Sequence, residues 1–161
     1  ATLLAATAVA APPQLEGQWT GREDGPKNSV TLYVRGQGLV YIDKKEVLLG
    51  KWKMASTPTP QGNYSIDLYF SRITDHTGTT WVAVEGQQAT SLGMLRLTKS
   101  SLRLCLSQPG STARAGLQKQ LNPDKGIVRC FDLTRPYRPL AHVKPTAAER
   151  YAFANAFSTT K

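Results

Sequence analysis

A period of two runs through this chain and restricts its fold more than any other feature. Val30, Leu32 and Val34 share one face of a short segment whose other face is Thr31, Tyr33 and Arg35, as in a strand with one side buried. The alternation returns in Ile66, Leu68 and Phe70 against Asp67 and Tyr69, and Leu48, Trp52 and Met54 stay in phase along 46–55. Leu95 and Leu97, then Leu102, Leu104 and Leu106, flank the short turn Thr98-Lys99-Ser100-Ser101. Gly36-Gln37-Gly38 and Asp43-Lys44-Lys45 read as further turns, the first because glycine reaches positive φ at little cost. A first strand opens at Leu15, and others are expected over 29–35, 39–43, 46–55, 64–72, 80–85, 92–98, 101–106 and 126–133. Seven to nine strands about ten residues apart, with almost no helix between them, argue against βαβ units. They predict an all-β protein, an antiparallel barrel or strongly curved sheet.

The two ends depart from this pattern. Residues 1–11 are uncharged and small or aliphatic, and Ala8-Val9-Ala10 before Pro12-Pro13 resembles a signal-peptide cleavage site. That stretch is too short to span a bilayer, which needs about 20 apolar residues. Residues 1–14 are therefore expected to be a signal-peptide remnant or an apolar N-terminal arm, 15–135 the β domain, and 136–161 a tail. In the tail Thr146-Ala147-Ala148-Glu149 is a capping box, so 147–157 reads as a short C-terminal helix. Phe153 and Phe157, four residues apart, would dock it on the sheet or close one barrel end.

Charge is uneven. Residues 1–95 hold eight Lys and Arg against eight Asp and Glu, whereas 96–161 hold twelve against Asp124, Asp132 and Glu149. The basic residues alternate with apolar ones and form no dense cluster, which speaks against nucleic acid and for a solvated or partner-facing surface. Cys105 and Cys130 fit one disulfide in an exported protein, the other reading being two unrelated buried thiols. Strand parity sharpens the first reading. With Leu102, Leu104 and Leu106 inward, Cys105 points outward. With Ile127, Phe131 and Leu133 inward and Arg129 a misfit at a barrel mouth, Cys130 also points outward. A bond between them would tether the long polar loop 107–125.

The segment Leu15-Glu16-Gly17-Gln18-Trp19 carries a GxW at the head of the first strand, similar to the lipocalin signature. The stretch from Ile66 to Gly116, above all the hairpin LGMLRLTKSSLRLCLSQPG, resembles the bacterial lipocalin-like domain family best known from planctomycete exported proteins. That family runs from an LxGxW start to a gxYxldgdtLxlCxxxpg hairpin. Here Gly93-Met94-Leu95 replaces its Gly-Ile-Tyr, and Thr98-Lys99-Ser100-Ser101 replaces its acidic turn. The resemblance implies a lipocalin-like barrel, an exported setting (periplasmic, extracellular or peripheral on the membrane), and a Trp that plugs one end. That Trp is Trp19, and Arg135, at the end of the last strand, is expected over its ring as the barrel-closing partner.

No nucleophile frame, GxSxG, HExxH, P-loop or dinucleotide fingerprint is present, and nothing selects a working pair from the eleven acidic residues. His76 and His142 are isolated, so no metal or cofactor is expected. The inward list (Val30, Leu32, Val34, Leu48, Trp52, Met54, Ile66, Leu68, Phe70, Val82, Val84, Leu95, Leu97, Leu102, Leu104 and Leu106) is wholly apolar. It fits either a filled core or a calyx for an apolar ligand entering opposite Trp19. Lining residues for such a cavity are Trp52, Met54, Phe70, Leu68 and Val82. The functional expectation is thus a non-enzymatic exported binding protein carrying a small apolar molecule. The alternative is an accessory subunit or inhibitor that meets a protein or membrane surface through its N-terminal arm and basic C-terminal third.

Overall fold

Nine strands and one helix form in the protein, seen in a computed structural model that describes residues 14–25, 27–74, 82–83, 90–119, 127–136 and 146–157. The strands are β1 (Gly17–Glu23), β2 (Ser29–Arg35), β3 (Gly38–Ile42), β4 (Val47–Met54), β5 (Tyr64–Thr74), β6 (Val82–Ala83), β7 (Thr90–Leu97), β8 (Ser101–Ser107) and β9 (Val128–Thr134), and the helix is α1 (Ala147–Ala156). Residues 1–13, His76, Val84 and His142 lie outside the described residues.

Eight of the strands pair antiparallel in chain order, and β9 returns to β1, so the sheet closes into an up-and-down barrel. Closure removes the free edges that an open sheet would expose. The ninth strand, β6, is an extra piece on the far end of β5, where Arg72 and Ile73 run past the β7 register. The β4–β5 pairing slips between Leu49 and Gly50, leaving Ser71 as the additional residue. A side chain at Gly50 would run into the Tyr69 carbonyl, so glycine is needed where the two backbones close up at this bulge.

The barrel interior holds one apolar cluster that includes Trp19, Val30, Leu32, Val34, Ile66, Leu68, Leu95, Leu102, Leu104, Phe131 and Leu133. Each fully buried Leu contributes about 1.5–3 kcal/mol relative to exposure. Two smaller clusters cover the outside. α1 lays Ala148 and Ala152 on Val40, Val47 and Leu49, on the outer face of β3 and β4. Its Phe153 meets Tyr33 edge-on at 4.9 Å and stacks on Phe157. The helix therefore docks on the barrel wall and closes neither end. Thr146 caps it by accepting the Glu149 amide at 3.2 Å.

Cys105 and Cys130 stand directly opposite in β8 and β9 with their sulfurs at bonding distance, 2.09 Å. They lie on the outer face, under Ala115, Leu117 and Val128. The loop after β8 folds back over them, so its described part, 108–119, is packed and not merely tethered. Arg114 pins it by donating to the carbonyls of Ile66 and Gly93 and to Asp67. Arg103 does the same through the Leu117 carbonyl, Asp24 and Asp132.

Two inward assignments need correction. Val82 is 56% exposed, because β6 pairs only with the end of β5 that has passed the barrel rim and has no core beneath it. Ile127 is exposed as well, since β9 begins one residue later.

Candidate functional site

The two barrel ends differ in chemistry. At one, Trp19 is fully buried and its indole N–H donates to the Leu15 carbonyl at 2.8 Å. The Arg135 guanidinium lies 4.1 Å from the Trp19 ring centroid. It also donates to the carbonyls of Gln14, Glu16 and Lys99 at 2.7, 2.8 and 3.1 Å. One planar cation thus ties the segment before β1 to the β7–β8 turn and covers the plug, a geometry that suits guanidinium better than ammonium. This end is sealed.

Among the described residues, the other end is open. A cavity of about 200 Å³ is lined by Tyr41, Glu46, Leu48, Phe70, Ile73, Ser91, Leu106, Ser107, Pro109, Arg129 and Phe131. Beneath it the interior narrows to a void of about 10 Å³ between Leu32, Leu68, Leu104 and Leu133, at most the room of one water. Among the described residues the core is therefore filled, and the free volume they enclose within the barrel lies at the mouth. Two larger recesses, of about 480 and 500 Å³, lie on the outer surface beside the 108–119 loop and beside Phe153 and Phe157. Both lie outside the barrel interior.

Polar groups ring the mouth. Arg129 donates from Nε and Nη2 to the two oxygens of Glu23, at 2.9 and 2.7 Å, and its guanidinium lies 5.3 Å from the Phe131 ring centroid. These hydrogen bonds hold the guanidinium firmly protonated. A longer contact, 3.4 Å, runs from Nη2 to the Tyr41 hydroxyl, which itself donates to Asp43 at 2.8 Å. Burial pushes the Tyr41 phenol above its ordinary range. Asp43 also receives the amides of Lys45 and Glu46. The Glu46 side chain faces the cavity with no hydrogen bond from any described residue, and burial raises its carboxyl above the ordinary value.

The expected lining residues are divided between the two ends. Phe70 lines both the mouth and the void beneath it, and Leu68 lines the void. Trp52 and Met54 pack half-buried on the core toward the sealed end, where β4 runs beside the start of β5, and touch neither space. Val82 is outside. The residues not foreseen are Tyr41, Glu46, Ile73, Ser91, Ser107 and Pro109. Only Arg129, an odd charge in an apolar phase, signalled the mouth beforehand.

These features define a disulfide-linked, closed eight-stranded antiparallel barrel with one plugged end and one open, mainly apolar cup. No protein-family model, curated protein or solved structure matches the chain.

Proposed function

We propose that this is a non-enzymatic, exported binding protein that holds a small apolar ligand in the open mouth of its barrel. The observation behind this reading is the mouth cavity, walled by Leu48, Phe70, Ile73, Leu106, Pro109 and Phe131 above a filled core. An apolar cavity of about 150 Å³ accommodates a benzene, so about 200 Å³ suits a molecule of comparable or slightly larger size. A long lipid chain has nowhere to go below Phe131. The disulfide accords with an oxidising, exported setting, and the resemblance to bacterial lipocalin-like domains points the same way.

The accessory-subunit reading has less behind it. Four arginines of the basic third, Arg103, Arg114, Arg129 and Arg135, are engaged by carboxylates or backbone carbonyls of the barrel itself, which leaves less cationic surface for a partner than the sequence implied.

Titration of methyl-labelled protein with ethylbenzene tests the proposal. Saturable shifts are expected at Leu48, Ile73 and Leu106 but not at Leu95, Leu97 or Leu102 of the sealed end. Shifts that do not saturate, or that centre on the sealed end, would overturn it.

A further inference from the structure

We propose that the ligand is an organic ammonium ion, with its charge against the Glu46 carboxylate and its apolar body among Phe70, Leu106 and Phe131. This rests on the mouth being the binding site and adds the class of ligand it selects.

The argument is a charge inventory. Among the described residues the mouth has one cation on its wall, Arg129, and Glu23 already takes two hydrogen bonds from it. Asp43 is occupied by the Tyr41 hydroxyl and two backbone amides. Glu46 lines the cavity, is half-buried, and receives no hydrogen bond from a described residue, while Lys45 stands exposed on the adjoining turn. Among the described residues, the unspent charge at the cup is therefore negative. A carboxyl left without a partner against apolar walls opposes folding, and burial duly pushes its proton affinity up. Such a group is a natural counter-ion for a ligand that brings its own positive charge and donors.

The rings agree with this. Tyr41, Phe70 and Phe131 all line the cup, and the negative faces of aromatic rings attract ammonium groups. Phe131 already carries Arg129 near its ring and meets Tyr41 edge-on, and Phe70 is the other ring that lines the cup. An anionic ligand would meet Glu46 and find Arg129 neutralised.

Hexylammonium, 1-hexanol and hexanoate share one chain and differ in head group, so calorimetric titration of the three isolates the charge. Hexylammonium is expected to bind about tenfold more tightly than hexanol, and hexanoate more weakly than either. In Glu46→Gln the amine-to-alcohol ratio should fall towards one, and Glu46→Asp should keep part of it. Reading the ratio within each variant cancels any general loss of affinity. Equal binding of amine and alcohol, an unchanged ratio in Glu46→Gln, or hexanoate binding tightest would overturn the ammonium assignment and leave the apolar cup standing. Failure of all three to bind would overturn the cup as well.

Discussion

Glu46 pays for its position at the mouth, and pH reveals by how much. Burial is the main cause of its raised proton affinity, the nearby Asp43 charge adds to it, and Arg129 and Lys45 only partly oppose them. Because the folded pKa lies above the unfolded one, the folded state binds the proton more tightly. Stability contributed by that proton is present below the ordinary carboxyl value of 4.5 and is lost as pH rises through the raised folded value. Glu46→Gln should therefore shift the urea midpoint upward at pH 7 and leave it nearly unchanged at pH 4. Equal shifts at both pH values would mean that the carboxylate charge is not what costs stability. Asp24 behaves oppositely: its hydrogen bond from Arg103 lowers its pKa, so its contribution is lost on acidification. The residue scale is also where sequence reading fell short. Alternation assigns a side chain to a face of a strand but not to a height along the barrel, so the phase that puts Trp52 and Met54 against the core does not reveal that they stand toward the sealed end, away from the mouth. Glu46 precedes β4 in a turn, where no period marks it.

Among the elements, α1 shows how much a local pattern can and cannot carry. The capping box and the small residues at Ala148 and Ala152 make the helix legible, and the spacing of Phe153 and Phe157 gives it an apolar side. Its docking place depends on β3 and β4, whose outward residues Val40, Val47 and Leu49 form a second apolar face. Sequence gave no warning of this, because a strand buried on both sides loses its alternation, as Gly38–Ile42 does. At Gly38 the strand runs against the helix end, where an added Cβ would strike the Ala156 carbonyl. Gly38→Ala should thus lift the C-terminal turn of α1 from the wall, at a cost of about 1–3 kcal/mol. Hydrogen exchange should speed up at the α1 amides while β7, β8 and β9 keep their protection. Unchanged exchange in α1 would show that the helix yields without undocking.

At the scale of the whole molecule, the disulfide and the barrel seam support each other. β9 is the strand that completes the ring, lying between β1 and β8, and the described part of the loop leading to it packs across the outside of the barrel. Until β9 pairs, the chain between the two cysteines is a closed loop only if they are bonded. Their separation of 25 positions corresponds to about 3–4 kcal/mol in the chain-entropy description of cross-links. For a domain whose net stability is about 5–15 kcal/mol, that is a substantial share. The bond also forms the floor on which Ala115 and Leu117 rest, so its loss should loosen the loop before it opens the ring. Arg103 and Arg114 still hold the loop to Asp24, Asp132 and Asp67, and the β8–β9 ladder persists on either side of the cysteines. The expected result for Cys105→Ala/Cys130→Ala is a folded barrel with its urea midpoint lowered by about 1–4 M, at a slope of about 1–3 kcal/mol per molar. Proteolysis under native conditions should then cut first within 108–119. A variant that unfolds at the same urea concentration as the oxidised protein would show that the ring is held by its ladders and core alone, with the bond only recording a contact they had already made.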